Sequence, residues 1–81
     1  NGHVNSVKYI EHILDLWNLD WYRKHPVRRF EIAYVAESHQ GDRLHFYCER
    51  RETDVDFNVR IAKEGPDCGE TEVCRCRVLF A

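Results

Sequence analysis

Along residues 4–21 apolar side chains recur at spacings of three and four: Val7, Ile10, Leu14, Trp17 and Trp21 form one stripe, which Ile13 and Leu16 widen. Lys8, Glu11, His12, Asp15 and Asn18 fall on or beside the opposite face. This period predicts an amphipathic helix from Val4 to about Trp21 that buries one face. Both tryptophans are read as core. Asn18 is a good capping residue, so it predicts a break with a separate short turn of helix in "NLDWYRKH", and His25-Pro26 ends the helical region.

After Pro26 the period switches to two. Phe30, Ile32, Tyr34 and Ala36 alternate with charged or small residues, and Leu44, Phe46 and Cys48 alternate with His45, Tyr47 and Glu49. With "HQGD" between them, these two runs are expected to form a hairpin. Phe57, Val59 and Ile61 mark one face of a third strand, "KEGPDCGE" a second turn, and Cys74, Cys76, Val78 and Phe80 a last strand. The fold class is therefore α+β: a four-stranded antiparallel sheet with one apolar face, wrapped around one long helix. A helix of about fifteen residues is roughly 22 Å long, enough to cross four or five strands about 4.8 Å apart.

The chain has 81 residues, which allows one small domain burying roughly 60–65% of its unfolded surface. A hydrophobic share of 43% and an aromatic share of 12%, with no Ser/Gly or Pro/Gly tract, exclude disorder and linkers. The formal net charge of -2, with interspersed signs, argues against nucleic acid and anionic membranes as partners, because either calls for a basic face. The sequence has no transmembrane run and no signal peptide at its start, so a cytoplasmic location is the expectation.

The cysteines are Cys48, Cys68, Cys74 and Cys76. Four allow a disulfide framework in a secreted mini-protein, but this chain has apolar residues enough for a core, and reduced thiols are expected. "CGETEVCRC" lacks the paired knuckle of a zinc finger, and Cys74 and Cys76 alternate onto one side of their strand. Buried structural thiols are the reading; a small cysteine-bound metal domain is the rival, and no metal or cofactor is assigned.

The chemistry lies at the start of the chain. "NGHVNSVKYI" crowds Asn1, His3 and Asn5 at the entrance to the helix and closely resembles the N-x-H-V-N-N-V-K-Y-I motif of the acyl-ACP thioesterases, the plant plastid enzymes and their bacterial relatives. In that family a later strand ends in Y-R-R-E-C, and "YVAES" stands at the equivalent distance here. Asn1, His3, Val4, Asn5, Val7, Lys8, Tyr9, Ile10, Tyr34 and Glu37 match; Ser6, Val35, Ala36 and Ser38 depart. The resemblance is specific over residues 1–38 and architectural beyond. It implies a hot-dog fold, and a chain that is the C-terminal half of a double hot-dog protein. On this reading the family's D-x-N-x-H aspartate falls two residues before Asn1, and the hot dog's first strand also precedes the sequence.

Thioester hydrolysis needs an activated water, donors aimed at the oxygen where charge develops, and a groove for the acyl tail. A helix N-terminus offers free N–H groups and a positive dipole end. Asn1 and His3 are therefore candidates to position the thioester or donate to that oxygen, and Glu37 is the candidate general base. Asn5 reads equally as an N-cap and as a supporting catalytic residue. The resemblance allows two mechanisms, a Cys-His-Asn triad or carboxylate-assisted water. With Ser38 in place of the cysteine, the water route is favoured and Ser38 is at most supporting. Lys8 and Tyr9 read as helix surface and packing and His39 as solvated; His12, His25 and His45 have no partner identifiable from sequence. Arg28, Arg29, Arg50 and Arg51 read as solvated faces, or as a docking patch for acidic acyl carrier protein.

The function implied is hydrolysis of fatty acyl-ACP to free fatty acid and ACP in fatty acid biosynthesis. The expected partners are an acyl carrier protein bearing a fatty acyl thioester and a second hot-dog domain, in the same chain or a homodimer. The expected location is the bacterial cytoplasm, or the plastid stroma if the source is a plant. The alternative is a noncatalytic hot-dog module that binds acyl groups or stabilises a partner domain.

Overall fold

In the computed structural model, which describes residues 6–67 and 69–81, two short helices precede four strands. They are α1 (Ser6–Leu14), α2 (Leu19–Lys24), β1 (Val27–Tyr34), β2 (Leu44–Arg50), β3 (Asp56–Glu64) and β4 (Glu70–Phe80). The strands form one antiparallel sheet in the order β1-β4-β3-β2. The helical segment packs on its apolar face, giving the α+β arrangement of a hot dog.

The single long helix is not seen. The Asn18 side chain accepts a hydrogen bond from the Trp21 N–H at 2.8 Å and caps α2, so the break read at Asn18 separates two helices. Lys24 ends α2 one residue before His25, whose N–H donates to the Trp21 carbonyl. An Asn18→Ala replacement is expected to cost about 1 kcal/mol, the usual worth of an N-cap, measured as a shift in denaturant midpoint.

The buried stripe is also narrower than the period suggests. Tyr9 and Ile13, one turn apart, are the buried residues of α1, whereas Val7 and Leu16 are exposed. Tyr9 thus packs in the core, while Lys8 stays on the helix surface. Both tryptophans are half-buried and pack on the core, Trp17 with its ring centroid 5.0 Å from that of Phe80 and 5.2 Å from that of Phe57.

The strand order also differs from the hairpin expected from the sequence. The "HQGD" segment is a turn, with Asp42 N–H donating to the His39 carbonyl and Gly41 at φ +94°, a conformation glycine adopts readily. It does not close a hairpin, for β1 and β2 stand at opposite edges of the sheet. β1 pairs instead with β4, Phe30 opposite Val78 and Ile32 opposite Cys76, while β2 pairs with β3, Phe46 opposite Ile61. Alternation assigns residues to faces, and both pairings satisfy the same alternation. The apolar content of β4, where Val73, Cys74, Cys76, Val78 and Phe80 are all buried, suits it to the centre. The turn between β3 and β4 is as expected, closed by Gly65 N–H donating to the Gly69 carbonyl.

The core joins Tyr9 and Ile13 to Val59, Ile61, Val73, Cys74, Cys76, Val78 and Phe80. Burial pushes the Cys74 thiol up to about 11 and the Cys76 thiol to about 12, so both are protonated packing groups at neutral pH. Cys48 is exposed on β2, contrary to its reading as a buried thiol, and Cys68 lies outside the described residues.

At the other end of the sheet the buried Asp56 carboxylate accepts two hydrogen bonds from Arg77, at 3.2 and 3.1 Å, with Arg51 4.0 Å away. Hydrogen bonding from Arg77 holds the carboxyl below its ordinary value of 3.8. A folded-state value depressed in this way supplies stability above pH 3.8 that is lost as the pH falls through the folded value. Asp56→Asn is therefore expected to destabilise the protein at pH 7, and the difference from wild type should shrink as the pH drops below 4, as read from denaturant midpoints across that range.

Candidate active site

Of the residues singled out in the sequence, Asn1, His3 and Asn5 lie outside the described residues, so the site is built here from α1 and the segment that follows β1. Glu37 and Ser38 stand three and four residues beyond the end of β1, in the irregular connection to β2 rather than on a strand end. The segment is held in place from three directions. Val35 N–H and Ala36 N–H both donate to the Val73 carbonyl on β4, at 2.8 and 3.1 Å. Lys63 Nζ on β3 donates to the Glu37 carbonyl at 2.6 Å. The Ser38 hydroxyl meets the Tyr9 hydroxyl of α1 in a buried hydrogen bond that spans 29 residues of sequence.

That last contact brings two stretches of the thioesterase-like motifs together. Tyr9 is the fourth residue of α1 and Ser38 is 1% exposed, so the position that carries cysteine in the Y-R-R-E-C pattern lies against the first turn of the helix that follows Asn5. Glu37, its neighbour, is exposed. A carboxylate at this place is accessible to water and supported by a backbone bonded at Val35, Ala36 and Glu37, with the Ser38 side chain held by Tyr9. The buried serine shares a hydrogen bond with the Tyr9 phenol, in which either hydroxyl can donate. The ring of Tyr34, at the end of β1, lies 6.2 Å from that of Tyr9 and closes the same corner.

Sequence reasoning missed the roles of Tyr9 and Lys63. The signal for Tyr9 was its place one helical turn before Ile13, which marks both as core. Lys63 gave no signal, because its contact depends on the tertiary path of the connection.

The other polar residues lie elsewhere. Lys8 is exposed and pairs with Glu11 at 3.4 Å. His39 N–H donates to Asp42 Oδ2, His12 sits edge-on to Phe46, His25 stacks on Trp21 and donates to the Ala81 carbonyl, and His45 Nε2 lies 2.8 Å from Glu64. Of the four arginines considered for docking, Arg29 pairs with Glu31, Arg50 with Asp54 and Arg51 with Asp56. Among the described residues no three His, Cys, Asp or Glu side chains come together to hold a metal, and no helix is long and apolar enough to cross a membrane.

A concavity of about 630 Å³ lies on the outer face of the sheet, lined by the apolar Ile32, Ala33 and Val59 together with charged groups such as Glu31, Arg60 and Arg75. Within it Arg60 lies 4.5 Å above the Tyr47 ring and Arg75 bonds Glu72 at 2.6 Å.

Comparison with known proteins places the chain in a family. Residues 1–80 match the model of the acyl-ACP thioesterase C-terminal domain. Among solved structures the chain is similar to an acyl-ACP thioesterase from Bacteroides thetaiotaomicron, with 48% sequence identity and a TM-score of 0.86. That similarity covers 100% of this chain and 31% of the other, so the chain spans less than a third of the length of that protein. No curated protein matches. A family model matched over nearly every residue, and a relative this similar in sequence and fold along the whole chain, lead to one conclusion: the chain belongs to the acyl-ACP thioesterase family, as its C-terminal domain.

Proposed function

We propose that this domain carries the catalytic residues of a thioesterase that hydrolyses fatty acyl-ACP to free fatty acid and ACP. The observation that carries the reading is the Tyr9–Ser38 contact, which holds the segment bearing Glu37 against the first turn of α1. In this mechanism Glu37 takes a proton from water as the water oxygen bonds to the thioester carbonyl carbon. Asn1 and His3, with the N-terminal amides of α1, bind the carbonyl oxygen and steady the charge it acquires. Collapse of the tetrahedral intermediate breaks the C–S bond and releases the ACP thiol, to which the proton passes. Asn5 supports this end of the helix, and Ser38 acts through its hydrogen bond rather than as nucleophile.

The proposed partners are an acyl carrier protein and a second hot-dog domain, in the same chain or as a homodimer. The sheet supports the second of these, because β1 and β2 are its edges and each has one side without a ladder partner among the described residues. A bacterial cytoplasmic setting is part of the same proposal.

The test is thiol release from a panel of acyl-ACPs by the protein as encoded by its gene. Release above the rate without enzyme, varying with acyl chain length, is expected. Acyl-ACP binding without release would favour the noncatalytic module instead.

A further inference from the structure

If Glu37 is the base, its carboxylate must keep a fixed relation to the start of α1, yet it lies in a connection with no regular ladder. The bonds from Val35, Ala36 and Lys63 tie that connection to β3 and β4. The bond between Ser38 and Tyr9 ties it to the helix. Ser38 is 1% exposed and Tyr9 3%, so each hydroxyl is out of water and depends on the other. Separating them would strip each buried hydroxyl of the partner it has among the described residues, which confines the pair to one arrangement.

We infer that Tyr9 is a positioning residue for catalysis: its hydroxyl, through Ser38, holds the Glu37 carboxylate in register with the first turn of α1. The inference rests on Glu37 being the base. Ser38 and Glu37 are adjacent, their Cα atoms one peptide length of about 3.8 Å apart, so a shift at Ser38 is transmitted to Glu37 almost undiminished. Catalysis is sensitive to such shifts, a 1 Å displacement being worth up to about 10²-fold. The hydroxyl of Ser38 also suits the task better than the thiol of the family pattern, since thiols are weak donors and acceptors.

The experiment is single-turnover hydrolysis of acyl-ACP by the protein as encoded by its gene. Tyr9→Phe removes one oxygen and keeps the ring that packs near Tyr34. It is expected to slow the chemical step about tenfold while KM stays within about twofold, and Ser38→Ala to do the same. The double variant should be no slower than either single one, because both remove the same contact. The deciding measurement repeats Tyr9→Phe in a Glu37→Gln background, where the residual rate should change less than about twofold. An equal loss in both backgrounds would show a merely structural tyrosine and overturn the inference, as would no loss with Glu37 intact. Glu37→Gln alone tests the base separately. If that variant keeps its rate, the base reading fails first and the inference falls with it.

Discussion

Replacing Glu37 by glutamine is expected to lower kcat/KM for acyl-ACP by about 10²-fold or more, with folding unchanged, whereas Ser38→Ala should cost about tenfold at most. The glutamine has nearly the same size but cannot take a proton from water. Glu37 is exposed, and the backbone beneath it is bonded to Val73 and Lys63 through main-chain atoms that the substitution leaves unchanged. Ser38 is the rival nucleophile, standing where the family pattern has cysteine. A serine attacks only when an adjacent base draws off its proton, and its hydrogen-bonding partner is the Tyr9 hydroxyl, a much weaker proton acceptor than imidazole or carboxylate. It is also buried against the helix. Steady-state turnover showing the opposite pattern, near-total loss from Ser38→Ala and a mild effect of Glu37→Gln, would overturn the carboxylate mechanism.

The elements were legible in the sequence where a local rule governs them. Asn18 caps a helix wherever such a residue precedes helix formers, and the alternation of Val59 and Ile61, or of Cys76 and Val78, needs only one covered face. Strand order was not legible, because the pairing of β1 with β4 conserves the face of every residue that a β1–β2 hairpin would have placed there. The nine residues between β1 and β2 carry the chain from one edge of the sheet to the other, and no period in them records that path. The candidate site divides the same way. Glu37 and Ser38 were found through the motif they resemble, but their approach to α1 depends on Tyr9, whose burial emerges only when the helix meets the sheet.

Phe80→Ala should be the most damaging single change in the core, costing about 3–5 kcal/mol of unfolding free energy, a large part of the total for so small a domain. Phe80 is 1% exposed near the end of the central strand β4, and the Trp17, Trp21, Tyr22 and Phe57 rings all surround it, with centroids 5.0 to 6.0 Å away and steeply inclined planes. Edge-to-face packing of this kind adds to the burial term itself. Truncation therefore removes the ring that joins α2 and the α1–α2 link to the sheet, and the rigid aromatics around it can collapse only partly into the space. Leu19 provides the contrast, being a large apolar residue that is 72% exposed at the start of α2. Leu19→Ala is expected to change stability by about 0.5 kcal/mol or less. Urea unfolding of both variants in the protein as encoded by its gene, followed by tryptophan fluorescence, measures the difference. A Phe80→Ala cost as small as that of Leu19→Ala would mean that the aromatic cluster is not what fastens the helices to the sheet.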